Sequence, residues 1–171
     1  AKTAFQAAIT GHMLLTTVHA RSVPEIFLRL ENLGVDRLSI AQGAAVMVCQ
    51  RLLPRLCPHC RVLDLKSANP AGWDVFRPVG CARCDYCGYD GRVLAAEALR
   101  LDADLCAALS NGRLAGAEIP AAAGRNHYVP MEATLINLLK AGRISMEQYL
   151  RFIPVSRPSR RRSLHRTPRA V

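Results

Sequence analysis

The chain has 171 residues, half of them hydrophobic, with seven cysteines and a formal net charge of +10. That length suits one ordinary domain or the end of a larger one, and the apolar share permits a sizeable core. No run approaches the roughly eighteen apolar residues of a membrane span, and cysteines without a leading signal peptide point to a reducing, cytoplasmic setting rather than an exported disulfide scaffold.

Ala1 to Ile9 reads as the interior of a helix, with Ala4, Phe5, Ala8 and Ile9 on one side, so the reading expects further chain before Ala1. Thr10-Gly11-His12 breaks it. Met13 to Val18 is an apolar run of strand length, expected to be a buried strand of a mainly parallel sheet. Ser22-Val23-Pro24-Glu25 has the spacing of a capping box, and Val23, Ile26, Phe27, Leu30 and Leu33 then recur at helical intervals until Gly34. A second helix starts at Asp36 and runs to about Val46, and Val48 to Leu56 forms a strand. Residues 57–91 are a loop rich in Pro and Gly, and Arg92 to Leu99 is extended. Asp102 to Ser110 and Met131 to Lys140 are helices, and Ser145-Met146-Glu147-Gln148 caps a last helix reaching about Phe152. The stretch 113–130 takes no assignment. Residues 155–171 hold six arginines and no acid, so setting them aside takes the net charge from +10 to +4. That segment has no hydrophobic period and is expected to be a disordered basic tail.

The chemistry concentrates in two pairs, Cys57-Pro58-His59-Cys60 and Cys81-Ala82-Arg83-Cys84. Two thiols two residues apart can face one metal ion, and the 20 residues between the pairs allow the second pair to complete a tetrahedral sulfur shell. Zinc favours that geometry, and four protein ligands leave no open position, so the spacing predicts a structural zinc site. Disulfides or unrelated thiols are the alternative. His59 is not expected to bind, because four thiolates fill the shell. Cys87 is the alternative ligand to Cys84. Cys49 and Cys106 read as buried small side chains.

An ordered set of motifs then carries a family resemblance over residues 1–153. It comprises Thr10-Gly11-His12-Met13-Leu14-Leu15-Thr16-Thr17-Val18-His19, Arg29-Leu30 with Leu33-Gly34-Val35, and Gln50-Arg51-Leu52 directly before the cysteine pairs. Gly88-Tyr89-Asp90-Gly91-Arg92 with Glu97, and Gly142-Arg143-Ile144-Ser145 with Glu147, complete it. This chain resembles the C-terminal part of the ATPases of type II secretion (general secretory pathway protein E) and type IV pilus assembly. Leu94 stands where that family has glycine, and Ala133-Thr134 where it has Asp-Gly. Ala96-Glu97 suits the type IVb pilus branch.

The resemblance implies an α/β fold: the C-terminal part of a RecA-like P-loop ATPase core, with a tetracysteine zinc subdomain and a helical C-terminal region. The parts would be a partial core (1–56), the zinc subdomain (57–91), a mixed and helical region (92–154) and the basic tail (155–171). It implies ATP and Mg2+ as cofactors of the full-length protein, a homo-hexamer, and inner-membrane secretion or pilus platform proteins as partners. Localisation would be cytoplasmic, at the inner membrane face, with peripheral membrane association through those partners. His19, and less strongly His12, would sit near the terminal phosphate. Arg29, Arg51 and Arg92 are candidates for phosphate or intersubunit contacts because guanidinium forks match phosphate geometry, and Glu97 would pair with one of them. No G-x-x-x-x-G-K-[ST] phosphate loop occurs in the sequence, so this segment alone is expected neither to hydrolyse ATP nor to bind it tightly. The resemblance also has the zinc subdomain project from the motor core. A zinc-ribbon module that binds nucleic acid is a competing reading; it is disfavoured because the cysteine region lacks a dense mix of basic and aromatic residues. A stand-alone zinc scaffold is the other.

Overall fold

In this computed structural model, which describes residues 1–66, 72–114 and 118–152, the N-terminal third is helical and its capping signals are in use. Helix α1 (Lys2–Ile9) turns Phe5 inward. Helix α2 (Val23–Asn32) begins where the Ser22 hydroxyl accepts the Glu25 amide at 3.4 Å. The Glu25 carboxylate answers by accepting the amide of Arg21 at 2.6 Å, one residue before the one a full capping box would use. Helix α3 (Arg37–Gly43) is capped by Asp36, which accepts both the amide and the hydroxyl of Ser39. The Ser39 amide holds that carboxyl below its ordinary 3.8. The helix stops short of the expected Val46 because Val46 already belongs to the sheet.

Strand β1 (Val46–Leu56) leads into the first cysteine pair. Two short strands follow within the loop, β2 (Val62–Leu63) and β3 (Phe76–Arg77), forming an antiparallel ribbon. Strand β4 (Tyr89–Arg100) returns antiparallel to β1, from Val46 opposite Arg100 to Leu56 opposite Tyr89. Helix α4 (Ala103–Ser110) is capped by Asp102. The stretch that took no assignment contains helix α5 (Ile119–His127), kinked at Gly124, and β5 (Tyr128–Val129). Strand β5 pairs with β4, giving the sheet order β1-β4-β5. Helix α6 (Met131–Lys140) packs on β4, and α7 (Met146–Phe152) closes the described fold. Ser145 and Gln148 exchange the two bonds of a capping box at the start of α7. The fold is thus α/β. The expected basic tail, 155–171, lies outside the described residues.

One element differs from expectation. Met13 to Val18 forms no strand, and Met13 and Leu15 are 90% and 86% exposed. The described sheet is antiparallel, and β1 pairs only with β4, so no neighbouring strand is present to satisfy the backbone of that segment.

Packing gathers around two centres joined by the β1–β4 ribbon. Met47 and Leu99 enter the first, with Phe27, Leu30, Ile40, Leu105 and Ile119 from the helices. Leu53, Val93 and Ala95 enter the second, with Val75 from the loop, Leu135, Leu139 and Met146 from the C-terminal helices and Ile144 from the turn between them. Alternation along the strands makes this possible: Met47, Cys49 and Leu53 face inward while Val46, Val48 and Leu52 face out.

Candidate metal centre

The last residues of β1 deliver the first thiol. The Leu56 amide donates to Arg143 O at 2.8 Å and the Cys57 amide to Gly88 O at 3.0 Å, so Cys57 enters the lobe at a fixed point and is fully buried. The second pair sits on a short 3-10 turn, Ala82–Cys84. Asp85 and Tyr86 follow in left-handed backbone, at φ +48° and +59°, a local cost of about 1–2 kcal/mol each for residues with a Cβ. That reversal wraps the chain around Cys84.

The four cysteines of the two pairs converge. The sulfurs of Cys57, Cys60, Cys81 and Cys84 all lie within 4.8 Å of one another. Cys60 and Cys81 each stand 3.8 Å from Cys84, the edge length of a tetrahedron with metal–sulfur bonds of about 2.3 Å. No disulfide joins them, and the separations are far above the roughly 2.05 Å of a sulfur–sulfur bond. Backbone amides point at the sulfurs: Gly80 at Cys60, and Cys81 and Gly88 at Cys84, each at 3.3 Å. Amides so placed stabilise thiolate charge, which a metal-binding cluster must carry. Burial works to raise the Cys84 thiol, but those two amides and the sulfurs of Cys60 and Cys81 together outweigh it and bring it down to about 6. Burial and the neighbouring sulfurs push Cys60 up to about 11. The donor set, spacing and amides fit a zinc ion.

Cys87 stays outside the group. Its thiol shares one proton between the carbonyls of Cys84 and Tyr89, at 2.8 and 3.1 Å, and its sulfur accepts the Tyr89 amide. His59 likewise turns away and meets Arg83, with Nη1 to Nε2 at 2.9 Å. Cys49 is buried as expected, while Cys106 is only partly so. Val75 of the loop lies in the second packing centre, and Trp73 packs against it.

The residues proposed for a nucleotide lie elsewhere. His19 is exposed in the segment before α2. His12 is exposed beside Thr10, whose hydroxyl is 3.4 Å from Nδ1, a contact local to the turn. Arg29 lies on the outer face of α2. Arg51 comes nearer to His19, since its Nη2 donates to Arg21 O at 3.3 Å and Cys49 Sγ reaches Ala20 O at 3.6 Å.

Glu97 takes a different role from the arginine partner expected. It is 4% exposed, accepts the Val23 amide at 3.0 Å at the start of α2, and accepts the Tyr128 hydroxyl at 2.5 Å. Burial, followed by that carboxylate, pushes the Tyr128 hydroxyl well above its ordinary 10. A lone acid in the otherwise apolar run 93–99 is the sequence signal for such a tie, but its partners are far along the chain.

The type II/IV secretion system protein family model matches residues 1–151. Among curated proteins, the type IV pilus assembly ATPase TfpB of Acinetobacter baylyi is 31% identical over 169 residues, covering 91% of this chain and 28% of that protein. Type II secretion system protein E of Klebsiella pneumoniae is 35% identical over 119 residues, covering 66% of this chain and 24% of that protein. The chain therefore spans roughly a quarter of the length of these relatives. Among solved structures, the pilus retraction motor PilT with bound ADP superposes with a TM-score of 0.58 at 22% identity, covering 89% of this chain and 35% of that one. The ATPase DotB of Yersinia pseudotuberculosis superposes at 0.56 with 16% identity, covering 86% and 32%. Both structural likenesses concern the fold.

Proposed function

This chain belongs to the type II/IV secretion system protein family, and we propose that it serves as the C-terminal part of a hexameric ATPase that powers type II protein secretion or type IV pilus assembly. The observation that carries the proposal is the family match across residues 1–151, with the motif order of the sequence behind it. On this reading residues 1–56 complete a RecA-like core, 57–91 form the zinc subdomain, and 92–154 form the mixed and helical region that seats it. No helix among the described residues is long and apolar enough to cross a membrane. On this reading, attachment at the inner membrane face comes through platform proteins.

In this reading Cys57, Cys60, Cys81 and Cys84 hold zinc, which supplies a cross-link and no reaction. The chain's own residues do the rest. His19 presents an imidazole able to donate to a phosphate oxygen. Arg51, on a rigid strand, fixes the backbone beside it through Arg21 O, and Glu97 fixes the start of α2 through the Val23 amide. Arg29 offers an exposed guanidinium to phosphate or to a neighbouring subunit. ATP and Mg2+ would be held chiefly by a phosphate loop, which the 171 residues lack, so the segment alone would not turn over ATP.

The test is a chimera in which this chain replaces the matching segment of the Klebsiella relative. The expected result is a hexamer that hydrolyses ATP, with His19→Ala lowering turnover while assembly persists. A folded, hexameric, zinc-loaded chimera without ATP hydrolysis would contradict the proposal, as would rapid ATP turnover by the 171 residues alone.

A further inference from the structure

We infer that the cysteine lobe and the turn between α6 and α7 form one metal-dependent unit, held by a clasp that transmits the state of the thiol cluster to the C-terminal helices. The inference rests on metal binding by the four cysteines.

Two cations make the clasp. Arg61 follows Cys60 directly. Its guanidinium lies 4.8 Å from the centre of the Phe76 ring and donates to the carbonyls of Ala141, at 3.2 Å, and Gly142. Those carbonyls terminate α6, where the unpaired oxygens and the helix dipole favour a positive charge. From the opposite side, the Lys140 ammonium of α6 lies 4.4 Å from the centre of the Trp73 ring in the lobe. Backbone completes the join. Leu56, adjacent to Cys57, donates to Arg143 O, and Phe76 forms a bridge with Ser145, the cap of α7. Gln148 of α7 donates to Pro54 O at 2.8 Å. Two of the contributing residues, Leu56 and Arg61, are thus immediate neighbours of cluster thiols.

The lobe has little else to hold these groups in place. Among its described side chains between 57 and 91, Cys57, Val75 and Cys84 are the buried ones. A cross-link through the sulfurs therefore supplies order that apolar packing does not. Once it is gone, Arg61 and Phe76 are free to leave the end of α6, and the cap of α7 loses the surface it bridges.

Gly142 gives a sharp handle. It lies at φ +61°, and a Cβ there would stand 2.7 Å from both Arg61 Nη1 and Phe76 Cδ2. Gly112 ends α4 in the same hydrogen-bonded motif, at φ +66°, with nothing within 4 Å of its Cβ position. Alanine at either site meets the same backbone strain, but only at 142 does it also collide with the clasp.

The experiment follows amide hydrogen exchange in the full chain with zinc bound and after chelation, alongside zinc content and Trp73 fluorescence. Removing zinc should speed exchange in residues 141–149 on the order of tenfold, the scale of a partly desolvated cation–aromatic contact, while residues 23–32 stay protected. Arg61→Met and Gly142→Ala should retain zinc yet show the fast exchange with metal present, and Gly112→Ala should not. Zinc uptake with identical exchange in 141–149 before and after chelation overturns the inference alone, as does Arg61→Met behaving like the parent chain. A chain that takes up no zinc overturns the metal reading and this inference with it.

Discussion

Each end of the β1–β4 ribbon has an apolar centre, but the second end also carries a lobe stabilised by different physics. At one end, α1 to α5 bury a broad set of aliphatic and aromatic side chains, and the fold there follows from burial and capping. At the other, residues 57–91 place few side chains inside and instead assemble four sulfurs, backbone amides and two cation–aromatic contacts. The contrast explains why sequence periodicity locates α2, α4 and α6 but says little about residues 57–91. Hydrophobic burial leaves a pattern along the chain, whereas a polar and metal-braced lobe leaves only its ligand spacing.

Breaking the metal end should have the largest local effect. Cys57→Ser removes a fully buried member of the cluster, and apparent zinc binding energies in small structural sites are about 10–16 kcal/mol. The expected outcome is loss of zinc and proteolytic cleavage within 57–91, with the far-ultraviolet signal of the α1–α5 end largely kept. Cleavage spreading equally into 23–43 would show that the ends are not separable.

The converse substitution sharpens the distinction. Ile40 is 1% exposed in the apolar centre, so Ile40→Ala should cost about 2–5 kcal/mol, read as a lower Tm or denaturation midpoint. Zinc content should be unchanged. A smaller effect is expected from Tyr128→Phe, which removes the hydroxyl bonded to the buried Glu97. Losing a hydrogen bond to a charged acceptor costs about 1.5–3 kcal/mol. It should also speed exchange at the start of α2, because Glu97 ties that helix to the sheet through the Val23 amide.

Much of this architecture was legible from residues. Ser22, Asp36, Asp102 and Ser145 each cap a helix where their spacing places one. The two cysteine pairs name the four thiols that converge. Met13 to Val18 departs from its apolar pattern because such a run forms a strand only when a neighbour pairs with it, and periodicity carries no information about neighbours. Helix α5 is hidden because its small side chains and the Gly124 kink leave only Ile119 and Ala123 as a short buried stripe. The bonds of Glu97 to Val23 and Tyr128 span 74 and 31 positions, and Arg61 reaches 80 residues ahead to Ala141. Such pairings depend on topology, which local sequence does not encode.

The central claim is that a metal ion held by four thiolates braces one end of this fold. Metal analysis with X-ray absorption on the purified chain tests it most directly. The account predicts one zinc per chain in a shell of four sulfurs at about 2.3 Å, lost on Cys84→Ser. Disulfide-linked cysteines, or protein that is folded and metal-free in the presence of zinc, would contradict it.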